Sequence, residues 1–509
     1  MRHVNLTFEK GKSMSSVFNQ MHRFFNPNSV AVIGASRRIM KAGHVIFKNF
    51  VDSKRRGVFK GELYPVNPHE DQILGYRCYP SLRGIKGEVE LVVIAVPARF
   101  VPKIVEDAAS KGVKAIVIIS GGFGEVGNHE LEKRVKAIAE KAEIRVLGPN
   151  CLGVYDSSTG VDMLFLPETK VLTTGDEVVA TPRPMPGPIA IVTQSGAFGV
   201  AALDYLAGRQ LGLSKFVSFG NEIDVNESEM LEYFLHDEQT RVILLYAESI
   251  EAGREFMNVA KRVTKEKPIV ALKSGKTEAG IRAALSHTGA IAGSDRIYDS
   301  VFMQVGILRA KDMEEFFDAG KALAFQPPAA GKNVAIITSA GGPAIMAADE
   351  CESRGVRVKK FSDETIAKFE ALKKAGKIPS FATNLNPLDL TGSATSEMFV
   401  EGMKILLEDP EIHGILVFGL HHAPALQEDF VDRIASLAKD YTKPVVACDI
   451  GETEMALYIR FRFDKQGIPA YFSPEDAARA MVALVNYGQY LKRTGGFEWY
   501  VERFRTDRI

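Results

Sequence analysis

In the stretch AALSHTGAIAGSD, residues 283–295, His287 stands between two hydroxyls, Ser286 and Thr288, in a run of small residues. An imidazole so placed can be a structural ring, a metal ligand or a nucleophile. Metal ligation has little to draw on: the one carboxylate at useful spacing is Asp295, eight residues on. Nucleophilic attack on a phosphoryl group needs a carboxylate to fix the ring and donors to hold the anion. The carboxylate on offer is Glu248 of YAES, at the end of a predicted strand. Donors are on offer at two turns, Gln194-Ser195-Gly196-Ala197 and Ser339-Ala340-Gly341-Gly342, where hydroxyls and bare amides open helices. Such turns suit phosphate, and serine is equally an ordinary N-cap.

A second group of loops has room for a larger anion. VIGASRRIMKAG places Gly34, Ala35 and Ser36 after the first strand, where free amides and the helix dipole attract phosphate. Further small or turn-forming strand ends follow at Val96-Pro97-Ala98, Ser120-Gly121 and Gly148-Pro149-Asn150-Cys151. A nicotinamide dinucleotide is disfavoured: the loop is not G-x-G-x-x-G, and Asn67 stands where an acidic ribose ligand is expected. SGKT, residues 274–277, ends like a P-loop, but the first glycine of that motif would fall on Val270. His421 and His422 are adjacent, with no third metal ligand evident, and read as a loop-end pair; no metal site is expected. His44 and Cys151 lie near the loops without an assigned role, and Tyr246 reads as a strand residue.

The elements that position these residues are buried apolar runs such as SVAVIGAS, ELVVIAVPA and VKAIVIISGG, separated by amphipathic helices. That alternation specifies parallel sheets in an α/β fold. The rhythm breaks after Asn150, in a segment closed by Pro182, Pro184 and Pro186, and again at AFQPPAAGKN. The expected divisions are an extension over 1–23, then α/β domains over 24–155, 156–327 and 328–509, the last with a helical C-terminal tail. IAIVTQSGAFG and VAIITSAGGPA begin two copies of one strand–turn–helix pattern, an internal repeat.

Of 509 residues, 46% are hydrophobic and 25% charged, and 63 Lys+Arg balance 63 Asp+Glu. Nothing therefore draws the chain as a whole toward nucleic acid or anionic membrane. The four cysteines, Cys78, Cys151, Cys351 and Cys448, are too scattered for a redox or metal pair. With no signal peptide or membrane span in view, a cytoplasmic protein is expected.

Taken in order, SVAVIGAS, GPNCLGV, QSGAFG, SFGNEIDV, LKSGKTEAG, SHTGAIAGSD, ITSAGGPA and NPLDLTG resemble the NDP-forming acyl-CoA synthetases (acetate–CoA ligase, ADP-forming). These are relatives of the succinyl-CoA synthetase α subunit. The resemblance implies a Rossmann-like CoA-binding domain followed by two flavodoxin-like domains. It also implies the reaction acyl-CoA + ADP + phosphate ⇌ carboxylic acid + CoA + ATP, by way of an acyl phosphate and a phosphohistidine.

By that resemblance His287 is the phosphorylated residue and Glu248 its stabilising carboxylate. Gly34, Ala35, Ser36, Asn67, Val96, Pro97, Ala98, Ser120 and Gly121 bind CoA, with Asn150 near the thioester. Gln194 to Ala197 and Ser339 to Gly342 face the phosphate, while Gly289 and Gly293 let the histidine segment travel to a nucleotide site. No ATP-grasp module follows residue 470, so a separate ATP-grasp β subunit is expected to handle ADP or ATP with Mg, in an α2β2-type hetero-oligomer acting on a small carboxylic acid or its acyl-CoA. Acyl preference is expected from the 151–190 loop and Ile223. The competing readings are a non-catalytic CoA- or acyl-CoA-binding protein and a dehydrogenase.

Overall fold

The computed structural model describes residues 16–282 and 295–506; His287 and its neighbours Ser286, Thr288, Gly289 and Gly293 lie outside the described residues. Contacts divide the described chain into two compact units. The first comprises residues 16–240, 246–259 and 274–282, and the second 241–245, 260–273 and 295–506.

The first unit opens with helix α1, Ser16–Phe25, whose Met21, Phe24 and Phe25 are fully buried. Residues 16–23, expected to belong to a terminal extension, are thus part of the fold. Phe18 and Phe25 stack on Tyr233, with ring centroids 5.0 and 4.7 Å away, and burial of those rings is what holds the helix.

Next comes a five-stranded parallel sheet in the order β2-β1-β3-β4-β5, made of β1 Ser29–Ile33, β2 Glu62–Val66, β3 Leu91–Ile94, β4 Ala115–Ile118 and β5 Arg145–Leu147. Every residue of β1, β3 and β4 is buried, as strands covered on both faces require. The chain winds to one side of β1 and then returns to the other, so the switch point lies between β1 and β3. Helix α2, Ala42–Arg55, follows β1.

A second run of strands in this unit pairs β6, Gly153–Asp156, with β7, Val161–Asp162, on one edge. On its other edge β6 pairs antiparallel with β9, Leu213–Ser218, which lies parallel to β8, Pro186–Thr193. Helix α3, Gly196–Gly208, follows β8, and α4, Glu227–His236, follows β9. Part of the 151–190 segment forms an antiparallel hairpin, Thr169–Val171 with Glu177–Val179, that leaves Val171 and Val179 exposed. The strand β10, Val242–Ala247, belongs to the second unit up to Leu245, and its last two residues, counted with the first unit, deliver Glu248.

The second unit is built on an all-parallel sheet in the order β12-β11-β13-β14-β15. Its strands are β11 Val334–Thr338, β12 Leu388–Asp389, β13 Gly414–Phe418, β14 Val445–Cys448 and β15 Ala470–Tyr471. Here the switch point lies between β11 and β13. Helices α5, Gly341–Ser353, and α6, Glu454–Lys465, begin at the carboxyl edge. Helix α7, Pro474–Thr494, expected as a tail, is instead a core element. Its Met481, Leu484, Val485, Tyr487 and Leu491 are buried, and Gly488 lies so close to Ala329 that a Cβ would stand 2.0 Å from its carbonyl oxygen.

Among the described residues no helix is long and apolar enough to cross a membrane, and no group of His, Cys, Asp or Glu could hold a metal ion.

Candidate active site

Open α/β sheets take ligands outside the carboxyl ends of their strands, at the switch point. In the first unit that position is a cleft of about 670 Å³. Gly34 forms its floor with φ +89°, its N–H donating to the Val66 carbonyl at 3.0 Å. A Cβ on Gly34 would stand 2.5 Å from the Ala95 carbonyl oxygen, and one on Gly43 would stand 2.0 Å from the Gly34 carbonyl oxygen. Backbone meets backbone at both positions, so the start of α2 is pressed against the turn and its first amides are aimed at the cleft.

The cleft gathers Gly34, Ser36, Asn67, Val96, Pro97, Ser120 and Gly121 from the expected set. Ala35, Ala98 and Asn150 are not among its walls. Ala35 is buried, with its carbonyl accepting from Asn67 Nδ2 at 2.8 Å. Ala98 begins a short 3-10 turn, and Asn150, at φ +58°, donates through Nδ2 to Asn221 Oδ1 at 3.4 Å.

Two of the gathered polar side chains hold the loops rather than pointing free groups at a ligand. Asn67 uses both ends of its amide, its Oδ1 accepting from the His69 N–H at 3.0 Å, and Ser120 Oγ accepts from the Val96 N–H at 3.1 Å.

The charge comes from residues the sequence reading passed over. Arg38 and Lys41 line the cleft and make no ion pair among the described residues, whereas Arg37 is spent on Glu70 at 2.8 Å. Lys41 is also the N-cap of α2 and offers it no side-chain cap, so the helix start stays open to an anion. Phe165, from the 151–190 segment, adds an apolar aromatic wall. The signal was available: both cations stand inside the quoted loop, between its turn and its helix.

The second site of this unit lies where β8 and β10 end. Ser195 caps α3 by accepting from the Phe198 N–H at 3.3 Å, which leaves the amides of Gly196 and Ala197 as the helix's open donors. Gln194 binds in four directions. Its Oε1 accepts from the N–H groups of Glu248 and, at 3.1 Å, Ser249, and its Nε2 donates to Glu222 Oε1 at 2.7 Å and to the Ser249 carbonyl at 2.8 Å. Gln194 is therefore a clamp on the backbone that carries the buried Glu248, not a free phosphate donor.

Other carboxyls crowd the same place. Burial, and next the Glu227 carboxylate, push the Glu222 carboxyl well above the usual range. Burial pushes Glu227 up to about 7, with Glu255 and Glu251 adding to it. These groups hold protons where a solvent-exposed glutamate would not.

In the second unit the turn after β11 differs from expectation. Ser339 does not cap α5: its hydroxyl lies against the Phe418 carbonyl at 3.4 Å and accepts from the Leu420 N–H at 3.2 Å. The N-cap is Ala340, which supplies no side-chain acceptor, so anion binding at this turn falls to the amides of Gly341 and Gly342.

Three family descriptions match successive parts of the chain: "CoA binding domain" over residues 28–157, "Succinyl-CoA ligase like flavodoxin domain" over 186–323 and "Ligase-CoA domain" over 334–490. The chain is 38% identical to the acetate–CoA ligase [ADP-forming] I subunit alpha of Pyrococcus furiosus, over 92% of this chain and 98% of that one. It is also 38% identical to the acetate–CoA ligase [ADP-forming] of Methanocaldococcus jannaschii, over 95% of this chain but only 65% of that longer protein. Among solved structures, acetyl-coenzyme A synthetase 1 of Ca. Korarchaeum cryptofilum, in complex with phosphate and ADP, is similar with a TM-score of 0.83. Its identity is 35%, over 93% of this chain and 98% of that one.

Proposed function

From a chain that belongs to the ADP-forming acetate–CoA ligase family, we infer an acid–CoA ligase that interconverts acyl-CoA, ADP and phosphate with carboxylic acid, CoA and ATP. A phosphate oxygen attacks the thioester carbonyl, the C–S bond breaks, and CoA leaves as a thiolate to give an acyl phosphate. A nitrogen of His287 then attacks phosphorus and the carboxylate leaves. ADP finally takes the phosphoryl group from the histidine.

The cleft of the first unit suits CoA. Glycine backbone and the open start of α2 lie beside Arg38 and Lys41, matching a ligand with several phosphates, while Ser36, Val96, Pro97 and Gly121 shape the walls. At the second site the amides of Gly196 and Ala197 hold phosphate, and Glu248, positioned by Gln194, is the carboxylate for the phosphohistidine. Gly341 and Gly342 form a comparable amide pair in the second unit. We take 24–155, 156–327 and 328–509 as the functional divisions.

Nucleotide transfer, with its Mg, is assigned to an ATP-grasp β subunit in an α2β2 assembly. The separate alpha subunit of the Pyrococcus relative, beside the longer single chain of the Methanocaldococcus one, supports that division of labour.

The observation that carries this reading is the four-bonded Gln194, which fixes a buried carboxylate beside an open helix start. Incubation with acetyl-CoA and labelled inorganic phosphate should release CoA thiol and leave an acid-labile label, lost in His287→Asn. Equal labelling of His287→Asn defeats the mechanism. CoA binding without phosphate-dependent thiol release favours a non-catalytic CoA-binding protein instead.

A further inference from the structure

The crevice beyond β11 and β13, at the switch point of the second unit's sheet, is bordered by two segments that touch. The turn Ser339 to Gly342 follows β11, Leu420 to His422 follow β13, and the Leu420 N–H donates to Ser339 Oγ at 3.2 Å. At the tip of the second segment His421 Nδ1 is 2.8 Å from Asp449 Oδ1, at the end of β14.

Asp449 is held with unusual completeness. It is 1% exposed, and its N–H donates to the Tyr471 carbonyl at 3.1 Å. The buried Arg460 spends Nη1 on the carbonyls of Asp449 and Gly451, at 2.7 and 2.5 Å, and Nη2 on Glu452 at 3.3 Å. Yet Asp449 Oδ2, fully buried, has no hydrogen-bond partner among the described residues. A buried carboxylate oxygen without a partner is costly, and a fold tolerates it where the group has work beyond packing.

That work falls on the ring. With Nδ1 turned to Asp449, the other nitrogen, Nε2, lies at the start of α6, where its neighbour Thr453 Oγ1 is at 3.4 Å, the long end of a hydrogen bond. At the adjoining strand α5 begins with no side-chain cap, and a Cβ built on Gly342 meets nothing within 4 Å, so the first turn of the helix has open space on that side. On the far side of β11, Asp389 packs against Gly341, its Oδ2 2.9 Å from where a Cβ would be. A carboxylate there sets the charge balance for a small anion rather than a polyphosphate.

We propose that His421, oriented by Asp449, binds a small oxyanion in this crevice: the carboxylate of the acid the enzyme activates, or inorganic phosphate. The choice of these two rests on the ligase reading above; the subsite itself rests on the ring, its buried carboxylate and the open helix start.

The test uses the full chain labelled with 13C at histidine Cε1, the His421 signal being identified by its loss in His421→Gln. Titration with sodium phosphate, sodium acetate and sodium chloride at constant ionic strength should move that signal saturably with phosphate or with acetate. Which of the two acts identifies the source. In Asp449→Asn the saturation midpoint should rise at least fivefold.

If the signal moves with neither anion, or as much with chloride, His421 is only a staple between two loops and the proposal is overturned. In phosphate-dependent CoA release, His421→Gln should raise KM for the identified anion at least fivefold, more than it lowers kcat; an unchanged KM also overturns it. Should wild type release no CoA, the ligase reading falls, and the titration still decides whether the subsite exists.

Discussion

Replacing Glu227 by glutamine should make stability less sensitive to pH, and the size of the effect follows from where the carboxyl sits. Glu227 opens α4, is 2% exposed, and is met by its own backbone N–H and by the Ser228 hydroxyl at 3.5 Å, while Glu255 and Glu251 add negative charge. Its proton is therefore held up to about 7, against an ordinary value of 4.5. A carboxyl that binds its proton more tightly when folded favours the folded state below the unfolded value, and that advantage is lost as pH rises through the folded one.

The rise from 4.5 to about 7 corresponds to about 3.5 kcal/mol at about 1.4 kcal/mol per pH unit. For a compact unit of this size that is on the order of 7 to 14 °C in Tm. Wild type and Glu227→Gln are to be compared by scanning calorimetry from pH 5 to pH 8.5. The variant's Tm should pull ahead as pH rises and the gap should level off about a unit above neutrality. A gap that stays constant, or narrows with rising pH, refutes the claim that Glu227 is buried with its proton. Glu222→Gln should shift stability in the same sense, and the double variant should gain less than the two singles added, because the carboxyls share one field.

Other consequences are open to direct measurement. Gly43→Ala forces α2 away from the Gly34 carbonyl and should lower CoA affinity at least tenfold by calorimetric titration, with the far-UV circular dichroism kept; unaltered affinity would show that the cleft is not the CoA site. Arg38→Ala and Lys41→Ala should each weaken CoA binding by about three- to tenfold at low salt and less at high salt, as screened phosphate contacts do. Phe25→Ala removes a fully buried ring and should cost about 3 to 5 kcal/mol in denaturant unfolding, whereas a dispensable extension would cost nothing.

The parallel sheets and their ligand-bearing edges were legible in the sequence because their strands are continuous apolar runs ending in small residues. Ile33-Gly34 and Thr193-Gln194 show strand and turn side by side in the text of the chain. What depends on strand order was not. Gln194 reads as a phosphate donor until β10 is seen to bring the Glu248 and Ser249 amides onto it, and Ser339 reads as a cap until β13 claims its hydroxyl. His421 and Asp449 are 28 residues apart, and only the adjacency of β13 and β14 joins them. Arg38 and Lys41 were legible in principle, as cations between a glycine turn and a helix. Helix α1 was missed because the partner that buries it belongs to a distant segment.

That partner has a bearing on how the chain is made. His22 and Tyr233 meet across 211 residues of sequence, with Phe18 and Phe25 stacked on the same ring. During synthesis α1 leaves the ribosome long before α4 exists; β4 and β6, which it also touches, follow first, but the Tyr233 ring on which Phe18 and Phe25 stack comes only with α4. The first described helix to be made is thus seated in stages, its aromatic contacts last. Until translation passes Tyr233 the rings of Phe18 and Phe25 lack the partner they stack on, and they are the apolar surface on which a holding chaperone would act.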